Sequence, residues 1–69
     1  MTKDLKRSLS IAGHRTSVSL EPEFWAQLIA AASAHKKSIA TIVSEIDQHR
    51  GERNLSSAIR VWVLNNKSV

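Results

Sequence analysis

The sequence contains no cysteine and no tyrosine, and only one proline and two glycines in 69 residues. Without cysteine the chain can form neither a disulfide nor a thiolate zinc site. Its three histidines are far apart and lack metal-ligand spacing, so we expect no metal and no cofactor. A chain this short buries only about 60% of the surface that its unfolded form exposes. A second copy of the chain is therefore the simplest source of additional core.

Long apolar runs are also missing. None approaches the roughly 20 residues that a membrane span requires, and the N-terminal stretch lacks the apolar segment of a secretion signal. The sequence therefore predicts a cytoplasmic protein that does not associate with a membrane. No nucleophile motif surrounds any serine, so we expect no enzymatic activity.

Acidic residues are scarce at the N-terminus. Residues 1–20 carry four basic side chains against one acidic side chain, a net of +3 within a formal charge of +4 for the whole chain. A concentrated positive patch favours phosphate-rich partners or anionic membranes over neutral partners. The alternative is that the charge only keeps a small protein soluble.

The N-terminal part of the chain predicts an arm and a strand. Residues 1–8 are predicted to be a flexible basic arm. Apolar residues then alternate with polar or small ones over residues 9–11 and again over 14–20, the period of a half-buried strand. Ala12 and Gly13 interrupt the pattern, which leaves either two short strands or an arm followed by one strand. We favour a single strand at residues 14–20.

Three amphipathic helices are predicted after the strand. Pro22 suits the first position of a helix, and Ser38 and Asn54 are favoured N-cap residues. Gly51 is typical of the position just after a helix end. The third segment also alternates as a strand would, but its length favours a helix. The predicted helices span residues 22–35, 38–48 and 54–65.

A lone strand would have no partner within its own chain, and its unpaired backbone groups would be costly or would invite another strand. An antiparallel ribbon made from two copies of the strand would satisfy these groups. The sequence therefore predicts one mainly helical domain over residues 1–69, with a single strand, that forms a homodimer. The predicted dimer core consists of Val18, Leu20, Trp25, Leu28, Ile42, Val43 and Ile46.

The predicted strand carries the first candidate site. If its apolar residues face the helices, then Arg15, Ser17 and Ser19 face outward. A two-stranded ribbon fits the major groove of DNA, where arginine and hydroxyl side chains can contact base edges. The alternative is that these residues are simply the solvated face of an amphipathic strand.

The start of the second helix is the next candidate. The free N–H groups that follow Ser38, at about Ile39, could hold a DNA phosphate. Lys36 and Lys37 lie just before them, and Arg7 is a further candidate for a phosphate contact. The alternative is an ordinary N-cap beside two solvated lysines.

The run RTSVSLEPEFWAQLIAAASAHKKSIATIVSEID resembles the ribbon-helix-helix family of Arc/MetJ-type repressors, and RGERNLSSAIRVWVLNN resembles a bacterial subgroup with an added C-terminal helix. The resemblance covers about residues 14–65. It implies an intertwined dimer that reads DNA with outward strand residues, here Arg15, Ser17 and Ser19. It also implies a phosphate clamp at Ser38 and Ile39. One departure is that many members have glycine between the two helices, where this chain has lysine and histidine.

Two functions follow as expectations. The first is a homodimeric, sequence-preferring DNA-binding protein that regulates transcription, with two dimers on adjacent half-sites. The second is an antitoxin-like or other protein-interaction module that binds a partner protein through residues 52–69.

Overall fold

Two strands and three helices follow one another in the computed structural model, which describes residues 5–11 and 13–66. Each helix end lies within one residue of its predicted position, and the third segment is a helix rather than a strand. The elements are β1 (Leu5–Ile11), β2 (His14–Leu20), α1 (Pro22–Ala34), α2 (Ile39–His49) and α3 (Leu55–Asn65).

β1 and β2 form an antiparallel hairpin within one chain. The prediction of a single strand whose partner is a second copy is therefore wrong. The predicted arm is also wrong for residues 5–8, which belong to β1, while residues 1–4 lie outside the described part of the chain. Gly13 has a φ of 81°, a conformation that glycine adopts at no steric cost. This allows the chain to reverse between Ile11 and His14.

One chain encloses a core of its own. All seven residues predicted for the dimer core are buried in it, with at most 6% of their surface exposed. α3 contributes Ala58, Ile59 and Val63 to this core and contacts α1, α2 and β2. α3 thus covers apolar faces that we expected a second copy to cover. Ile29, predicted on the buried face of α1, is instead 43% exposed.

Hydrogen bonds and ring contacts fix the hairpin and α3 against α1. The indole N–H of Trp25 donates to the carbonyl oxygen of Leu5 over 2.8 Å, and the guanidinium carbon of Arg7 lies 5.1 Å from the centre of the same ring. Arg60 of α3 donates to a carboxylate oxygen of Glu21 over 2.9 Å. A backbone hydrogen bond and this arginine hold the pKa of Glu21 below its ordinary value of 4.5.

The turn between α1 and α2 has the geometry that glycine usually provides. The N–H of Lys37 donates to the carbonyl of Ala32 over 2.9 Å, and the N–H of Lys36 donates to that of Ser33 over 3.0 Å. Lys36 has a φ of 56°. These bonds form a Schellman motif, in which the left-handed residue is most often glycine. The lysine in this turn therefore keeps the usual geometry in a strained backbone conformation.

Replacing Lys36 with glycine should stabilise the protein. The left-handed conformation costs a non-glycine residue about 1–2 kcal/mol, which the larger chain entropy of unfolded glycine offsets by about 0.5–1 kcal/mol. We expect Lys36→Gly to raise the free energy of unfolding by about 0.5–1 kcal/mol, measured by urea denaturation. Lys36→Ala is the matched control, because it removes the same side chain but keeps the strain. An equal gain in Lys36→Ala would contradict this explanation.

Candidate nucleic-acid interface

The hairpin has one apolar and one polar face. In β2, Val18 and Leu20 are buried, whereas Arg15 and Ser17 are exposed and Ser19 is half-buried. This is the alternation predicted from the sequence, and it turns the polar side chains away from the helices.

β1 adds three further residues to the polar face. Directly opposed residues of an antiparallel pair project on the same side of the sheet. Lys6, Ser8 and Ser10 are each exposed. The sequence reasoning missed them because it assigned the first part of β1 to a flexible arm, although polar residues alternate there as they do in β2. The outward face, as we call this surface, consists of the pairs Lys6–Ser19, Ser8–Ser17 and Ser10–Arg15.

The outward face has the size and chemistry of a groove-reading surface. Adjacent strands lie about 4.8 Å apart, so two strands with their side chains fit a major groove about 12 Å wide. The face carries two cations, no carboxylate and four hydroxyl groups. Arginine can bind guanine through two hydrogen bonds, lysine also binds guanine, and serine can donate or accept.

The N-terminus of α2 presents backbone donors. The side chain of Ser38 accepts from the N–H of Thr41 over 3.1 Å, which caps the helix. The first N–H groups of an α-helix have no acceptor within the helix. With the N–H of Thr41 capped, those of Ile39 and Ala40 are left for an outside acceptor. A phosphate is a suitable acceptor at such a helix end.

The outward face and the start of α2 adjoin each other. Ser10 of β1 borders an open pocket of about 280 Å³, and the other residues that line it come from α2. A ligand that lies along the hairpin could therefore reach the first turns of α2 as well. The lining residues from α2 are Ala40, Thr41, Ser44 and Glu45.

The three cations predicted to contact phosphate have different surroundings. Lys36 is exposed in the turn before α2. Lys37 lies beside it, but its ammonium group is 2.8 Å from a carboxylate oxygen of Glu45. Arg7 alternates with the outward residues and packs on the ring of Trp25. Arg7 is therefore not part of the outward face.

Within residues 5–11 and 13–66, no cluster of three or more acidic, histidine or cysteine side chains is suited to hold a metal ion. None of the helices described for this chain combines the length and apolar character needed to span a bilayer.

Comparison with known proteins identifies the family. No curated protein and no solved structure matches the chain. A family model described as the ribbon-helix-helix domain matches residues 5–66, which includes both strands and all three helices. Ribbon-helix-helix domains are DNA-binding regulatory modules rather than enzymes, and they typically bind DNA as dimers. The match covers most of the sequence, and the chain therefore belongs to the ribbon-helix-helix family.

Proposed function

We propose that this protein is a sequence-preferring transcriptional regulator, acting as a repressor, that binds the major groove of DNA. The outward face of the hairpin is the observation that carries this proposal. It offers two cations and four hydroxyl groups, without a carboxylate, on a ribbon of the width of the groove. A merely solvated strand face has no need to exclude acidic residues.

Each part of the surface has a proposed role. Arg15 contacts a base edge, with guanine the best match for a guanidinium, while Ser17 and Ser19 contact bases less strictly. The N–H groups at Ile39, capped by Ser38, hold a backbone phosphate beside the groove. Lys36, Lys37 and Arg7 contribute positive charge near the phosphates.

We also propose that the protein acts as a homodimer in the cytoplasm. The support lies in the family and in the surface, since the core of one chain is already closed. Leu5, Ile29 and Leu64 remain exposed to 42%, 43% and 64%. A second copy would cover part of this apolar surface. Sedimentation equilibrium over a range of concentrations measures the association.

DNA binding should depend steeply on salt. If each chain neutralises three or four phosphates, counterion release should weaken binding roughly 40- to 150-fold between 50 and 200 mM salt. Titration of labelled duplex DNA by fluorescence anisotropy measures this. An affinity that barely changes over that range would count against phosphate contacts.

The matched controls for this titration are two single changes. Lys36→Ala removes an exposed cation beside the start of α2 and should make the salt dependence less steep by about one phosphate. Arg53→Ala removes an exposed cation that lies between α2 and α3, away from the outward face. It should leave the salt dependence unchanged.

The alternative is a module that binds a protein through residues 52–69. Among the described residues of that segment, α3 packs its buried side chains against the other elements. Leu64 is its most exposed large apolar residue, at 64%. A single exposed leucine is a small surface for a partner protein, so the observations favour DNA.

A further inference from the structure

The two strands repeat each other in sequence. Residues 6–11 read Lys-Arg-Ser-Leu-Ser-Ile, and residues 15–20 read Arg-Thr-Ser-Val-Ser-Leu, nine positions later. Each copy has a cation first, serine at its third and fifth positions and an aliphatic residue at its fourth and sixth. The likeness is closest at the positions that form the outward face.

The register of the hairpin converts this repeat into a symmetry. Ser8 lies opposite Ser17 at the centre of the outward face. A half-turn about an axis normal to the sheet at this pair exchanges the two strands. It places each serine on a serine and each cation on a cation, because one end of the face has Lys6 opposite Ser19 and the other has Arg15 opposite Ser10. One chain thus presents an approximately two-fold symmetric ribbon.

Two-fold symmetry is the property that matches a protein surface to an inverted repeat in DNA. We propose that each chain reads a short inverted repeat by itself, with Lys6, Ser8 and Ser10 of β1 contacting bases in the same way as Arg15, Ser17 and Ser19 of β2. This inference rests on the DNA-binding function proposed above. It replaces a ribbon shared between two chains with a complete ribbon in each.

The width of the groove supports a ribbon from one chain. If the β2 strands of two copies also paired with each other, each would keep its own β1 and the sheet would have four strands. At about 4.8 Å per strand the outer strands would lie about 14 Å apart before side chains are added. This exceeds the groove width of about 12 Å, whereas the hairpin alone fits.

The positions of the cations set the expected subsite. Lys6 and Arg15 lie at opposite ends of the face, four residues apart along the strands. At about 3.3 Å per residue this is roughly 13 Å, or about four base-pair steps of 3.4 Å. Both cations favour guanine, and arginine does so more strictly. The preferred subsite therefore has guanines on opposite strands, about four base pairs apart.

Selection of bound duplexes from a random pool, followed by affinity measurement, tests this inference. The wild type should select the inverted repeat. Arg15→Ala should lose the guanine preference at one end only, and Lys6→Ala at the other end only, each with roughly 5- to 150-fold weaker binding. The double exchange Lys6→Arg with Arg15→Lys should keep the spacing and move the stricter guanine to the opposite end.

The outcomes separate this inference from the function on which it rests. If the ribbon were formed by two copies of β2, Arg15→Ala would relax both ends of the site and Lys6→Ala neither, which would overturn the inference and leave DNA binding intact. A Lys6→Ala variant that binds like the wild type also overturns it. If the wild type binds no duplex, both proposals fail. Circular dichroism of each variant shows that it is folded, as expected for substitutions at exposed positions.

Discussion

A Val18→Asp variant should fail to fold as a single chain. Val18 is 1% exposed in the core beneath the hairpin, and an isolated carboxylate buried there has no cationic partner among the core residues, which are all hydrophobic. A buried unpaired charge costs at least about 3 kcal/mol, and a small domain has only about 5–15 kcal/mol of stability in total. Thermal unfolding followed by circular dichroism should show a lost or strongly lowered transition.

Ser17→Asp is the matched control for this change. It places the same charge on the neighbouring residue of the same strand, but on the exposed outward face. Surface substitutions usually change stability by less than about 0.5 kcal/mol, so this variant should melt close to the wild type. It should nevertheless bind DNA more weakly, because a carboxylate would face the phosphates. Equal destabilisation by both changes would contradict the assignment of the two faces.

Arg15→Ala should weaken specific DNA binding by about 1–3 kcal/mol, the loss expected for a two-bond contact with a base edge. Arg15 is exposed, so the change should leave the melting temperature nearly unaltered. Titration of a selected duplex against an unrelated duplex measures the effect. The loss should be larger for the selected sequence than for the unrelated one.

Two further variants separate charge from geometry at this position. Arg15→Lys keeps the charge but loses the paired donors of the guanidinium, so it should retain non-specific affinity and lose part of the preference. His14→Ala changes the exposed neighbour, which lies on the other face of β2, and should have little effect. If His14→Ala and Arg15→Ala gave equal losses, the outward face would not be the reading surface.

The helices could be predicted from the sequence because each has a local signal at its start or end. Pro22, Ser38 and Asn54 mark three helix starts, and the side chains of Ser38 and Asn54 cap their helices in the structure. Gly51 follows the C-cap of α2 with a φ of 61°. Each of these signals acts over a few residues and needs no knowledge of distant parts of the chain.

The hairpin was harder to predict because its first strand is poorly buried. In β1, Leu5 is 42% exposed and Arg7 takes the place of an apolar side chain, so the alternation there is weak. Only Ile11 of this strand is part of the buried core. Ala12-Gly13 is also a weaker hairpin signal than the asparagine–glycine or aspartate–glycine pairs that usually mark a tight turn. The pairing of β1 with β2 depends on this turn.

The prediction that a second copy must complete the core failed for a related reason. Length alone suggests a small core, but it does not show how three short helices pack. Ala58, Ile59 and Val63 of α3 are buried against the other elements, so α3 supplies cover within the same chain. The outward parity of Arg15 and Ser17, in contrast, could be predicted, because a strand has only two faces.

The short connection in the hairpin has a consequence for how the outward face assembles. A ribbon built from two chains exists only when the chains associate, so its amount falls on dilution. A hairpin closes within one molecule, on a timescale of about 1–10 μs, and its formation is independent of protein concentration. A newly made copy of this protein therefore carries a finished outward face before it meets another copy.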